Sequence, residues 1–177
     1  MVETTPVSVL IVSGPPGAGK TTVARMLAES SDRPAVHLHT DDFYTAIRRG
    51  FIAPWLPESA RQNAVISRAV AVAAIEYARG GYAVMIDGVV GPWHLDVYLQ
   101  AAASARVPLS YAVLRPDRPT VTARARDREI GPLADYPPRI FEGFADLGPL
   151  EPHAIDTTHW SVAETVARVR AGGFELT

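Results

Sequence analysis

Gly14-Pro15-Pro16-Gly17-Ala18-Gly19-Lys20-Thr21 is the stretch that decides the fold of this chain. It contains a glycine, four free positions and then Gly-Lys-Thr, a spacing that belongs between a strand and a helix. Upstream, residues 7–12 are nearly all apolar and rich in β-branched side chains, as in a parallel strand covered on both faces. Downstream, apolar residues recur at helical spacing within 23–27. We therefore predict a strand, a tight loop and a helix over residues 20–29.

This spacing is that of the P-loop, which binds polyphosphates. Its glycines allow a sharp turn with the N–H groups pointing inward, and the following helix adds the positive end of its dipole. Lys20 is predicted to reach the β- and γ-phosphates, and the Thr21 hydroxyl to bind Mg²⁺. Lys20 is the only lysine among 17 basic residues, and a compact ammonium suits this contact better than a planar guanidinium. The motif and its flanks favour this interpretation over an ordinary Gly-Pro turn.

Length and composition indicate one globular domain over residues 1–177. Hydrophobic residues make up 47% of the chain, and a net charge of −2 provides no general attraction to nucleic acid or anionic membranes. Small-molecule partners are therefore expected. The absence of cysteine excludes disulfides, thiolate metal sites and thiol nucleophiles. The N-terminus also lacks the basic region of a signal peptide, so we expect a cytoplasmic protein.

Strands alternate with helices along the chain, which predicts an α/β fold with a parallel sheet and right-handed crossovers. The last helix is predicted to open with a capping box formed by Ser161 and Glu164. The further predicted strands are 35–38, 82–86, 109–114 and 152–156, and the further helices are 58–79, 92–103, 117–127, 139–147 and 161–171.

Two segments lack the regular spacing of apolar residues that is typical of a helix or a strand. Residues 47–57 contain two arginines, Trp55 and two prolines, and are predicted to form an irregular wall of a substrate pocket. Residues 127–138 are rich in glycine and proline and follow a cluster of arginines. We predict that they form a mobile lid over the phosphates, although an ordinary surface loop would have the same composition.

Carboxylates are predicted at the ends of two strands, the sheet edge at which ligands bind in open α/β folds. Asp41 and Asp42 follow the second strand, which we predict to lie beside the P-loop strand. Either carboxylate could accept the proton of an acceptor hydroxyl and also hold a magnesium-bound water. The alternative for Asp42 is to cap a helix beginning at Phe43. Asp87 ends the third strand, where P-loop proteins place a magnesium-side aspartate.

Other polar side chains accompany these carboxylates. His37 and His39 share one face of the second strand, and a hydrogen-bonded role is favoured over metal ligation. Arg124 and Arg128 are predicted to place guanidinium groups on the transferring phosphate, whereas Arg126 points outward. The alternative for these arginines is a solvated helix face that pairs with neighbouring acidic residues.

Taken together, these features resemble the small P-loop kinases of the adenylate-kinase-like branch, and among them most closely the chloramphenicol phosphotransferase and zeta-toxin-like group. The residues that carry the resemblance are 14–22, the Asp-Asp-Phe-Tyr run at 41–44, the strand ending in Asp87 and the arginines at 124–128. The resemblance implies a three-layer fold, with a five-stranded parallel sheet in the order 2-3-1-4-5 and a small lid. It also implies that ATP is the phosphate donor and a hydroxyl group the acceptor.

The resemblance extends to individual residues. It implies that Asp41, the first carboxylate of the pair, faces the acceptor, and that Arg115, Asp156 and Thr157 lie where related kinases bind adenine. The implied catalytic residues are Asp41, Lys20, Arg128 and Arg124. The implied nucleotide-binding residues are Gly14, Pro15, Pro16, Gly17, Ala18, Gly19, Lys20, Thr21, Thr22, Arg124, Asp156 and Thr157. The implied magnesium ligands are Thr21, Asp41 and Asp87.

The sequence therefore predicts a magnesium- and ATP-dependent kinase acting on a hydroxyl group of a small molecule. An antibiotic or other metabolite, a sugar-like compound and a nucleoside all remain open as acceptors. A nucleotide-binding switch or NTPase acting on a protein partner is the alternative, but this small chain carries an acidic pair and an arginine cluster that suit an acceptor pocket better. A nucleic-acid end kinase is disfavoured because the sequence has no basic stripe.

Overall fold

The computed structural model describes residues 7–126 and 138–176, apart from the side chains of residues 125, 126 and 138. Five strands form one parallel sheet in the order β2-β3-β1-β4-β5, as the resemblance implied. The strands are β1 Val9–Ser13, β2 Ala35–His39, β3 Ala83–Asp87, β4 Leu109–Leu114 and β5 Ala154–Ile155. Arg128 and residues 127–137 of the predicted lid lie outside the described residues.

The helices alternate with the strands as predicted, and most bounds agree to within two residues. They are α1 Lys20–Glu29, α2 Thr40–Thr45, α3 Ala60–Arg79, α4 Pro92–Ala105, α5 Arg118–Arg126, α6 Pro138–Glu142 and α7 Val162–Arg170, with 3₁₀ helices at Pro57–Ser59 and Gly148–His153. The predicted capping box is confirmed, since the Glu164 amide donates to the Ser161 hydroxyl and the Glu164 carboxylate accepts from the Ser161 amide. No helix of the described ranges is long and apolar enough to span a membrane.

Apolar side chains cover both faces of the sheet, which is why the strands contain few polar residues. On one face, Val9 and Ile11 of β1 pack with Val70 of α3 and Leu95 of α4. On the other face, Val12 belongs to the cluster formed with α1 and α7. This alternation along β1 holds the strand rigidly from both sides, and the loop that follows is therefore anchored at its first residue.

The fifth strand is shorter than the predicted 152–156. Only Ala154 and Ile155 pair with β4, at Val113 and Leu114. The preceding residues form the 3₁₀ helix, which contains Pro152 and therefore lacks one of the amide donors that a ladder needs. The first half of β4 pairs instead with the C-terminal segment. There the Tyr111 amide donates to the Phe174 carbonyl at 2.8 Å.

Candidate active site

The loop after β1 has the backbone of an anion-binding turn. Gly14, Gly17 and Gly19 have φ values of 139°, 84° and 88°, a region that L side chains rarely adopt. At Gly14 a second constraint applies, since a Cβ there would lie 2.2 Å from the carbonyl oxygen of Leu114 on β4. The loop can therefore leave β1 only because glycine occupies this position.

Lys20 begins α1 directly after this loop. Its side chain is 4% exposed, and its ammonium donates to the Pro15 carbonyl at 2.9 Å. The lysine thus lies against the backbone of the loop instead of extending into solvent. A buried ammonium and the first amides of α1 together favour a polyanion at this position.

Asp87, at the end of β3, is the centre of a buried polar cluster. The Thr21 hydroxyl donates to Asp87 Oδ2 at 2.7 Å. On the other side, His37 Nε2 lies 2.5 Å from Asp87 Oδ1, and His39 Nδ1 lies 3.0 Å from both carboxylate oxygens. The predicted hydrogen-bonded role of the two histidines is therefore confirmed, and both hold the same carboxylate.

The hydrogen bonds in this cluster determine its charge state. Burial alone would raise the pKa of Asp87, but the hydrogen bonds from His37, His39 and Thr21 outweigh it and hold that pKa well below its usual value. The pKa of His39 is raised above 6.5, chiefly by its hydrogen bond to Asp87 and against its own partial burial. The cluster therefore keeps a carboxylate ionised inside the fold, beside the P-loop threonine.

This carboxylate and hydroxyl suit a magnesium ion. Mg²⁺ is commonly held by one or two protein oxygens and completes its shell with water and substrate phosphates. Thr21 and Asp87 provide such a pair beside the P-loop. Within residues 7–126 and 138–176, no three His, Asp or Glu side chains are grouped so as to hold a metal ion.

The structure corrects two predictions about the acidic pair. β2 is an edge strand separated from β1 by β3, so the pair does not leave the strand beside the P-loop strand. The following helix begins at Thr40 and not at Phe43, with His39 as its N-cap, so Asp42 does not cap it. Both carboxylates instead lie in the first turn of α2, where the helix dipole favours negative charge.

The early start of α2 depends on a close contact between two strand ends. Thr40 is buried against Gly88, where a Cβ would lie only 2.0 Å from the threonine hydroxyl oxygen. The glycine after Asp87 therefore allows α2 to approach the end of β3. Asp41 then faces the histidine cluster, with its Oδ2 3.6 Å from His39 Nε2, while Asp42 is exposed.

A cleft with about 590 Å³ of empty space, open to solvent, borders Asp41. Its aromatic lining residues are Tyr44, Trp55, Trp93 and Tyr98, and its neutral polar ones include Thr40, Asn63 and Ser67. The predicted pocket segment, residues 47–57, contributes Pro54 and Trp55 to this cleft. A mainly apolar lining with a few polar groups is typical of small-molecule sites.

Asn63 joins the walls of this cleft. Its amide nitrogen donates to the Pro54 carbonyl at 2.7 Å and to the Ser59 hydroxyl at 2.9 Å, and its carbonyl accepts from the Tyr44 hydroxyl at 3.2 Å. Sequence reasoning missed Asn63 and also Ser67 on α3. The signal was present, because both are polar residues four positions apart on the otherwise apolar face of that helix.

The cleft is also connected to the P-loop. Ser13, the residue before the loop, donates from its hydroxyl to the Val90 carbonyl at 2.7 Å and accepts from the Val90 amide at 3.2 Å. Val90 lines the cleft, and Tyr111 donates to the same carbonyl at 2.7 Å. These hydrogen bonds hold the cleft wall at Val90 against Ser13, the last residue of β1, directly before the P-loop.

The remaining predicted residues lie on the other side of the P-loop. Arg124 is exposed on α5, and Asp156 is exposed after β5. Thr157 is 2% exposed, and its hydroxyl is a buried polar atom without a hydrogen-bond partner among the described residues. Arg115 forms a two-pronged ion pair with Glu151 at 2.8 and 2.9 Å, which lowers the pKa of Glu151 to about 2. Arg115, which follows β4, is therefore tied to the 3₁₀ helix Gly148–His153.

Comparison with known proteins agrees with this geometry. The family model of the AAA domain matches residues 9–132, which include β1 to β4. A cytidylate kinase from Pyrobaculum arsenaticum is 33% identical over 111 residues, which are 60% of this chain and 60% of that protein. The chain thus spans 60% of the length of this curated relative.

Two solved structures share the fold. A sugar kinase from Janibacter sp. HTCC2649 has a TM-score of 0.71 at 19% identity, covering 94% of each chain. The APS kinase of Mycobacterium tuberculosis, solved with AMPPNP and APS, has a TM-score of 0.66 at 15% identity, covering 95% of this chain and 98% of that one. At these identities the likeness shows the P-loop kinase fold alone.

Proposed function

The chain belongs to the AAA domain family, and on that premise we propose that it is a kinase that transfers the γ-phosphate of ATP to a hydroxyl group of a small molecule. The observation that carries the proposal is a continuous row of polar groups. It runs from Thr21 through Asp87 and His39 to Asp41, and so joins the P-loop to the cleft. A nucleotide at one end and an alcohol at the other would meet across this row.

On the donor side, the P-loop would bind the polyphosphate. Phosphoryl transfer proceeds with little covalent chemistry, so positioning and charge neutralisation are the main requirements. Lys20 would neutralise the β- and γ-phosphates, while Thr21 and Asp87 would hold Mg²⁺. The magnesium ion would neutralise the charge that develops as the phosphoryl group leaves. The APS kinase solved with AMPPNP supports ATP as the donor.

On the acceptor side, Asp41 would take the proton of the attacking hydroxyl. It borders the cleft, whereas its neighbour Asp42 is exposed and is not among the cleft-lining residues. His39 lies between Asp41 and Asp87, so Asp41 would reach the magnesium ion at most through a water molecule. Arg124 and Arg128 are proposed to contact the transferring phosphate, and Asp156 and Thr157 the adenine.

The finer assignment rests on sequence motifs. We place the chain near the chloramphenicol phosphotransferase and zeta-toxin-like group because its acidic pair, Asp41 and Asp42, follows the second strand as in those kinases. Residues 127–138 would form the lid of a single kinase domain. The partner would be a small hydroxylated compound and not a nucleic acid or a membrane.

A coupled ADP-release screen of the purified protein against hydroxylated metabolites and antibiotics tests this function. We expect ADP release that depends on both magnesium and an acceptor. ADP release at the same rate with no acceptor present would instead support an NTPase. Activity confined to oligonucleotide ends would support a nucleic-acid kinase.

The best acceptor from that screen then allows a matched test of the two carboxylates. Asp41→Asn should lower kcat by about 10²- to 10⁴-fold with ATP affinity largely kept, because general-base assistance is worth that much. Asp42→Asn is the control and should retain nearly full kcat. If Asp42→Asn abolishes turnover while Asp41→Asn does not, the assigned roles are reversed.

A further inference from the structure

The edge strand β2 carries two histidines on the face of the sheet that packs against α1. In the register of β2 and β3, His37 lies beside Met85, and His39 lies beside Asp87. Because side chains alternate along a strand, His37 and His39 share the face of Asp87. The neighbouring strands place apolar side chains there, such as Met85 and Leu10, which pack against the cluster formed with α1 and α7. Two partly buried polar rings on this face need hydrogen-bond partners within the fold.

Both histidines find their partner in one carboxylate. His37 Nε2 lies 2.5 Å from Asp87 Oδ1, and His39 Nδ1 lies 3.0 Å from Oδ1 and from Oδ2. An ionised carboxylate can only accept hydrogen bonds, so the two ring nitrogens are the donors. Asp87 is 0% exposed, so its orientation depends on these donors and on Thr21.

The same carboxylate determines what the Thr21 hydroxyl can bind. A threonine hydroxyl has one proton and two lone pairs. Thr21 donates its proton to Asp87 Oδ2 at 2.7 Å, which leaves only lone pairs for a further partner. A cation can use these lone pairs, whereas a phosphate oxygen, which is itself an acceptor, cannot. Asp87 thus makes Thr21 a ligand for a metal ion instead of a hydrogen-bond donor to phosphate.

We propose that His37 and His39 are positioning residues of the magnesium site. They hold Asp87 by its Oδ1, and the Oδ2 of that carboxylate then keeps the Thr21 hydroxyl in the state that suits a metal ion. The inference rests on the proposed function, which supplies the magnesium nucleotide. It depends on the two N–H groups and not on a charge on either ring. Neither histidine is among the site residues that the family resemblance implied.

The two histidines differ in one respect. His39 Nε2 also lies 3.6 Å from Asp41 Oδ2, whereas the Nε2 of His37 is bonded to Asp87. A substitution at His39 therefore acts on two carboxylates, and one of them is the proposed proton acceptor. His37 is for this reason the cleaner position at which to test the metal site.

The metal-dependent part of the nucleotide affinity tests the proposal without an acceptor. Binding of AMPPNP, a non-hydrolysable ATP analogue, is measured by calorimetry in Mg²⁺ and again in EDTA. The ratio of the two Kd values is the metal gain, and damage to the fold alone would weaken both Kd values together. His37→Phe keeps a ring but lacks the N–H group. It should reduce the metal gain by at least about ten-fold, since the loss of an outer-shell partner has an effect of that order.

Amide side chains provide a rescue that separates hydrogen bonding from charge. The amide nitrogen of glutamine is as many bonds from the backbone as histidine Nε2, and that of asparagine is as many as Nδ1. His37 uses Nε2 and His39 uses Nδ1. His37→Gln and His39→Asn should therefore keep most of the metal gain, whereas His37→Asn should lose it as His37→Phe does. If His37→Phe does not fold, His37→Asn takes its place in the comparison.

His153→Phe is the matched control. His153 is also partly buried, and its Nδ1 lies 3.0 Å from the Tyr111 carbonyl oxygen. Its replacement removes a ring hydrogen bond in the same way but leaves Asp87 untouched. The metal gain should therefore equal that of the wild type.

Several outcomes overturn the inference. A wild-type metal gain in both His37→Phe and His37→Asn contradicts it, and so does a loss in His37→Gln as large as that in His37→Phe. Equal affinity of the wild type for AMPPNP in Mg²⁺ and EDTA also contradicts it. The kinase function is scored separately by ADP release in the acceptor screen. An unchanged metal gain in the variants together with acceptor-dependent ADP release would refute the inference alone, whereas the expected losses and rescues without turnover of any acceptor would refute the function alone.

Discussion

The proposed phosphate-binding end and the proposed acceptor cleft are built on opposite principles. The first is a charged cluster, in which a hydrogen bond to Asp87 raises the pKa of His39. The second is a cleft in which burial lowers the pKa of His94. The same side chain thus responds to a carboxylate partner in one region and to desolvation in the other. One end keeps a carboxylate ionised beside Thr21, and the other has a mainly apolar lining.

The two regions also differ in how they are assembled. The P-loop is a contiguous stretch whose backbone dihedral angles determine where its amides point. The cleft is lined by side chains from α2, α3, α4, α6 and two loops, which are far apart in the sequence. A substitution in the first region should therefore act on nucleotide, and one in the second on acceptor.

Lys20→Ala should have the largest effect, and it should be confined to the phosphate-binding end. We expect phosphoryl transfer to fall by at least about 10³-fold, since both nucleotide affinity and charge stabilisation are lost. MgATP at about 100 times its Kd should stabilise the wild type by about 2.7 kcal/mol and the variant by much less, as measured by thermal melting.

An equal MgATP-induced rise in Tm in both proteins would remove Lys20 from the nucleotide site.

Gly14→Ala tests the backbone of the phosphate-binding end. We expect a loss of about 3 kcal/mol or more in the free energy of unfolding, from the left-handed backbone together with the clash against the Leu114 carbonyl. Gly81→Ala is the matched control, because its φ is 89° and a Cβ there meets nothing within 4 Å. It should lose about 1 to 2 kcal/mol. Urea denaturation measures both, and equal losses would show that the contact with β4 is unimportant.

The two histidines should produce the smallest effects, with opposite dependence on pH. His39 has a raised pKa in the folded state, so its contribution is complete below its unfolded value of about 6.5 and is lost as the pH rises through the folded value. His39→Asn should therefore cost more stability at about pH 6 than at about pH 9, with a difference on the order of 1 kcal/mol. Urea denaturation in the presence of EDTA provides the measurement.

His94 should behave in the opposite way. Burial lowers its pKa in the folded state, so the unfolded chain takes up a proton at a higher pH than the folded one does. The wild type therefore loses stability as the pH falls below about 6.5. His94→Asn should flatten the stability profile between about pH 6.5 and 5. A profile as steep as that of the wild type would show that His94 is not desolvated.

Much of the fold was predictable because its signals are local. The P-loop spacing, the helix of residues 20–29 and the Ser161–Glu164 capping box each depend on neighbouring residues, and all three are confirmed. The sheet order came from family resemblance and is also confirmed. The predictions that failed required knowledge of distant partners, since Thr40, the first residue of α2, packs against Gly88 at the end of β3.

The sequence by itself predicted the P-loop, because that motif consists of consecutive residues. Tertiary structure alone decided the partners of Asp87, the different exposure of Asp41 and Asp42, and the lining of the cleft. These properties arise from side chains that approach one another only when the sheet and its helices pack. Desolvation and hydrogen bonding, which set charge and specificity there, depend on that packing and have no local signature in the chain.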